Sequence, residues 1–139
     1  MPGSDQPNQS GAAMASVQDS TRSEPHGGTK LAAIADGLVK LHKDVCGRGP
    51  TNARCFESGD VVVCLLVGGL TRGERTLLES GDTAAVERQR RSLHHVMKGP
   101  AQELVERELG RRVTAMTLAA DPASELETAV FVLDGTAES

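Results

Sequence analysis

Seven consecutive apolar residues, Val61-Val62-Val63-Cys64-Leu65-Leu66-Val67, constrain this chain more than any other segment. The run falls far short of the roughly 18 apolar residues that span a bilayer. It has the length of one β-strand, and four of its seven side chains are Val, which suits a pleated surface. A strand that is apolar at every position belongs in the middle of a sheet, with part of both faces covered. A second apolar segment, Ala53 to Phe56, precedes it across Glu57-Ser58-Gly59-Asp60, a turn composition that predicts a β-hairpin. With two Phe and no Trp or Tyr, the core around this hairpin must be built from Val, Leu, Ile, Ala and Met.

Helical periodicity flanks the hairpin. Leu31, Ile34, Leu38 and Leu41 recur at three- and four-residue steps, predicting a helix over Lys30 to Val45 with Thr29 as N-cap, Gly47 at its end and Pro50 barring continuation. Thr71-Arg72-Gly73-Glu74 has capping-box spacing and opens a short helix ending near Gly81. Asp82 or Thr83 starts a long helical stretch with Val86, Leu93, Met97, Ala101 and Leu104 on one stripe, closed by Gly110. Gly99-Pro100 should kink or break it, with Pro100 the first residue of a resumed helix. Two further β-type segments, Arg112 to Leu118 and Thr128 to Leu133, are joined by an Asp-Pro loop.

The resulting order α-β-β-α-α-β-β predicts an α/β protein of the α+β type: a two-layer sandwich with a mostly antiparallel four-stranded sheet and helices on one face. The order contains a weak repeat, since each half has a helix, a Gly-Arg junction (Gly47-Arg48, Gly110-Arg111) and a hairpin. Residues 1 to 28, rich in Ser, Gly, Pro, Gln and Asn, bury too little apolar surface to offset ordering entropy and are expected to be a disordered tail. A single domain over residues 29 to 135 follows, then a short tail of 136 to 139. An odd count of three cysteines without a CxxC pair fits free thiols, and no signal segment precedes the domain, so the expected compartment is the cytoplasm.

Arg48, Gly49 and Arg54 lie in Gly47-Arg48-Gly49-Pro50-Thr51-Asn52-Ala53-Arg54, where glycines free the backbone and arginines offer forked donors for oxyanions or a charged partner. The same segment also reads as a helix stop followed by a strand start. On the long helix Arg88, Arg91, His95 and Lys98 form a basic stripe, suited to an acidic partner or simply to solvent. Arg90 falls instead beside the apolar stripe, where it needs a carboxylate such as Glu74, or a bound anion. His42 and Cys46 share a helix face, but two ligands do not make a metal site. No catalytic triad, paired catalytic carboxylates or cofactor fingerprint stands out, so neither metal, cofactor nor enzymatic activity is expected. A formal charge of −4 and the scarcity of aromatic platforms disfavour nucleic acid.

Taken together, Leu41-His42, Gly47-Arg48-Gly49-Pro50 with Arg54, Asp60 and its Val-rich strand, Leu70-Thr71-x-x-Glu74-x-x-Leu77, Glu79-Ser80-Gly81, Val86 with Arg90, Gly110-Arg111-x-Val113 and Val130-Phe131-Val132-Leu133 resemble the MpsC-like family. The resemblance covers roughly Lys30 to Leu133. It implies a C-type domain that works with membrane partners in cation transport, membrane potential and inorganic-carbon supply. The function expected on this basis is a non-enzymatic accessory or regulatory domain that binds a protein partner, including a membrane-embedded one, through Arg48, Arg54 and the neighbouring loop. A second expectation is a small-anion sensor for bicarbonate, phosphate or a carboxylate, which requires Arg48, Arg54 and Arg90 to converge. An uncovered edge strand would also allow a homodimer.

Overall fold

Across the predicted hairpin Ser58 pairs with Val61, and the two-residue turn between them holds Gly59 at φ 58°, a left-handed value that glycine adopts without strain. In the computed structural model, which describes residues 28 to 135, this turn joins β1 (Asn52–Ser58) to β2 (Val61–Val67). Ahead of them runs α1 (Gly28–Cys46). After them come α2 (Arg72–Glu79), α3 (Thr83–Leu109), β3 (Val113–Asp121), a single 3-10 turn (Pro122–Ser124) and β4 (Leu126–Leu133). The four strands form one antiparallel sheet in the order β1-β2-β4-β3, so β2 and β4 are central, as the apolar run required. The two hairpins of the sequence repeat lie side by side and meet through β2 and β4.

The register sorts side chains into two faces. Toward the helices lie the rows Cys55, Cys64, Ala129, Leu118 and Ala53, Leu66, Glu127, Ala120. There they pack with Phe131 and Val62 against Leu31, Ile34 and Leu38 of α1 and Ala101, Leu104 and Val105 of α3. The buried thiols of Cys55 and Cys64 approach to 2.6 Å. Their mutual hydrogen bond, reinforced by burial, raises the Cys55 thiol well above its ordinary pKa and keeps it a poor nucleophile. On the other face no helix among the described residues covers the sheet, and the rows Phe56, Val63, Val130, Thr117 and Ser58, Val61, Val132, Ala115 look outward.

Several expected boundaries shift. The first helix already includes Gly28 and Thr29, so Thr29 is not its cap; the rest of the expected tail, residues 1 to 27, lies outside the described residues. The long helix runs unbroken through Gly99-Pro100. Pro100 is solvent-exposed, as is Val96 one turn earlier, so water can satisfy the carbonyl that loses its partner. The expected stripe of α3 also rotates, with His94 buried and Leu93 only partly so. Finally, β4 starts at Leu126 rather than Thr128, which brings Glu127 into the sheet.

Between β2 and α2 the chain turns through Gly68 at φ 81° and Gly69 at φ 98°. This loop lies directly on the Pro50-Thr51 backbone: a Cβ on Gly68 would come within 2.5 Å of Thr51 Oγ1. Gly68→Ala is therefore expected to cost about 2 kcal/mol, combining an unfavourable φ with a steric clash. Urea unfolding at constant m-value would measure the loss.

Candidate functional site

Charged and polar side chains gather where α1, α2, α3 and β4 meet. His42 and Glu74 are each 2% exposed, Arg90 4%, His94 8% and Glu127 9%. Each arrives by an ordinary structural route. The inward stripe of α1 runs Leu31, Ile34, Ala35, Leu38 and ends on His42. Glu74 is the third residue of α2, held by a capping box in which Glu74 N donates to Thr71 Oγ1 (3.1 Å) and Thr71 N donates to Glu74 Oε1 (2.9 Å). Arg90 and His94 are one turn apart on the inner face of α3. Glu127 occupies a helix-facing row between Leu66 and Ala120, with Ala129 next on its own strand, and the short side chains of the two alanines leave it room.

Arg90 is the hub. Its Nε and Nη2 donate to the two oxygens of Glu74 at 2.8 and 2.6 Å, a bidentate fork. Nη2 also donates to the Gly69 carbonyl at 2.9 Å, and Nη1 to Glu127 Oε2 at 3.2 Å. Burial works against the guanidinium, but hydrogen bonding to Glu74 and the charges of both carboxylates raise its pKa further. Gln89 adds a donor to Glu74 Oε2 at 3.3 Å.

Glu127 joins two imidazoles. His94 Nε2 lies 2.5 Å from Oε2, and His42 Nε2 meets Oε1. His42 Nδ1 sits 2.9 Å from the Leu38 carbonyl, which only accepts, so Nδ1 carries a hydrogen. A second proton must then lie between His42 Nε2 and Glu127. Burial pushes the Glu127 carboxyl up, but hydrogen bonds from His42 and then His94, with their charge, outweigh it and hold the group well below the usual carboxylate range. Half-buried Cys46 flanks the cluster with its sulfur 4.0 Å from Arg90 Nη1; burial raises its thiol despite the guanidinium. Among the described residues no group of three His, Cys, Asp or Glu is placed to hold a metal ion.

Outside this cluster a cleft of about 340 Å³ runs between α3 and β3, with Arg90 and His94 in its lining and Glu87, Arg91, Leu118 and Ala120 around them. A contiguous hollow of about 250 Å³ extends it along Arg91, His94, His95 and Lys98. Three members of the basic stripe thus share one wall, while Arg88 lies outside both hollows.

The three arginines expected to converge do not. Arg48 is exposed in the α1–β1 turn. Arg54 alternates with inward-facing Ala53 and Cys55, so it projects from the opposite face of the sheet, with its guanidinium 5.5 Å from the Phe56 ring centroid. Arg90 is committed to its carboxylates. An anion site shared by the three is therefore corrected by the alternation of β1. Gly49 approaches its own chain, where a Cβ would stand 3.0 Å from the Val39 carbonyl. Missing from the sequence-based site were His42, His94 and Glu127; the signal for the last was the alternation Glu127, Ala129, Phe131, Leu133.

Fold and cluster together define a class: a two-layer α+β domain whose helix–sheet junction is closed by an ion-paired acid–base cluster instead of further apolar packing. Residues 27–135 match the family model described as Na+-translocating membrane potential-generating system (MpsC), and the chain belongs to that family. No curated protein and no solved structure matches it.

Two outcomes follow for stability. Arg90→Ala leaves Glu74 and Glu127 buried without their cation and is expected to cost about 3–5 kcal/mol at pH 7, read by urea unfolding. Because the Glu127 pKa is depressed on folding, its contribution is present above the ordinary carboxylate value and disappears as pH falls through the folded value. Glu127→Gln should therefore flatten the stability–pH profile below about pH 4.5, as read by chemical denaturation at stepped pH.

Proposed function

We propose that this domain is a non-enzymatic accessory subunit that docks a membrane-embedded protein of the Na+-translocating system through the uncovered face of its sheet. The observation that carries the reading is the composition of that face. Phe56, Val61, Val63, Leu65, Val130 and Val132 adjoin one another across three strands, and Phe56 and Val132 are 38% and 37% exposed. A contiguous apolar surface of this kind marks an interaction site more often than scattered exposed side chains do.

Charge narrows the occupant. In the three rows from Ser58 to Arg54 the only charged side chain is Arg54, stacked on Phe56, so the face suits an apolar surface carrying a carboxylate. No helix among the described residues is long and apolar enough to cross a membrane, which supports attachment through another protein. Size argues against a second copy as the main occupant. Four strands about 4.8 Å apart and about seven residues long present on the order of 450 Å². Two such faces bury about 900 Å², below the roughly 1,200 Å² of a specific interface. A larger partner can also cover the edges of β1 and β3.

Val63→Lys should abolish docking while leaving thermal stability nearly unchanged. A photo-crosslinker at position 63 or 130 is expected to capture one membrane protein of the system, and one at exposed Glu103 on α3 is not. In cells, Val63→Lys should lower the Na+-dependent membrane potential to the level of a deletion strain, read with a potential-sensitive dye. Crosslinking only to a second copy of this chain, or an unchanged potential, would overturn the reading.

A further inference from the structure

The cleft between α3 and β3 lies on the helix side of the sheet, away from the proposed docking face. Arg91, His95 and Lys98 occupy successive turns of its α3 wall, and among the described residues none of the three has a hydrogen bond or ion pair. Glu87, at one end, is the only carboxylate in the lining. Two permanent cations and two imidazoles facing one carboxylate leave a positive cleft in a chain of net charge −4.

His94 connects this cleft to the interior. Its Nε2 is taken by Glu127, while its Nδ1 has no protein partner and keeps contact with solvent. With Nε2 committed to Glu127, Nδ1 is the ring nitrogen left to meet the cleft. Leu118, Ala119 and Ala120 contribute no charge from the β3 side. The charged or titratable groups around the ring are Glu127 of β4, with His42 of α1 behind it, and Arg90, Arg91, His95 and Lys98 of α3; Cys46 and Glu74 stand beyond Arg90.

We infer that the α3–β3 cleft and the hollow that continues it bind a phosphate-class dianion through Arg91 and Lys98, with His94 in the wall common to both. The charge balance favours a dianion over a monocarboxylate, and the hollow of about 250 Å³ that Arg91 and Lys98 both line accommodates free phosphate, with the adjoining cleft, which Arg91 also lines, open to the rest of a small phosphorylated molecule. The concave setting points to a soluble anion in place of a lipid headgroup.

Sulfate is the first probe, because it is a dianion throughout the neutral range. With the full chain and ionic strength matched with chloride, calorimetry at pH 7 is expected to show one saturable site. Arg91→Ala and Lys98→Ala, both at exposed positions, should each weaken binding about fivefold or more. No binding of sulfate or inorganic phosphate above the chloride control would overturn the inference, as would affinity indifferent to Arg91→Ala and Lys98→Ala. Binding to phosphatidylglycerol vesicles that sulfate fails to compete would assign the basic wall to a membrane surface and also overturn it.

Discussion

Four hydrogen bonds from the Arg90 guanidinium are distributed among Glu74 at the start of α2, the Gly69 carbonyl in the loop before it and Glu127 on the central strand β4. Removing those charges from water costs several kcal/mol per ion, and only near-complete hydrogen bonding offsets it. The surrounding structure serves that requirement. The capping box orients the Glu74 carboxylate, and the Gly68-Gly69 turn, seated on Pro50-Thr51, brings a carbonyl within reach. Small alanines beside Glu127 leave room for the carboxylate that takes the remaining donor.

Such an arrangement adds specificity more than net stability. Apolar residues of similar volume could close the same junction at comparable free energy. A cluster that must be completed by residues from α1, α2, α3 and β4 permits only one relative placement of those elements. It also ties the wall of the cleft between α3 and β3 to the interior, because His94 lines that cleft and bonds Glu127.

The sheet separates two roles by the two-residue period of its strands. Inward rows carry the core and Glu127; outward rows carry the apolar surface around Phe56 and Val63. The same alternation that exposes Arg54 prevents it from joining Arg90. The Gly47-to-Arg54 segment contributes to the site indirectly, by supporting the loop that delivers the Gly69 carbonyl.

Much of the fold was legible in residue order alone, because it depends on local rules. The uniform apolar run specified a central strand, three- and four-residue spacing specified the helices, and Thr71-x-x-Glu74 specified a helix start. Helical phase placed Arg90 at the core margin and required a carboxylate for it, with Glu74 a candidate. What only the tertiary structure decided is the convergence of residues far apart in the chain. His42 and Glu127 are 85 positions apart and His94 and Glu127 are 33, and no local pattern encodes which strand row faces which helix turn. His42 and His94 read as polar interruptions of their stripes, and Glu127 precedes Thr128, where β-type composition begins, although the strand itself starts at Leu126. Periodicity says which side chains turn inward; sheet order and helix placement determine which of them meet.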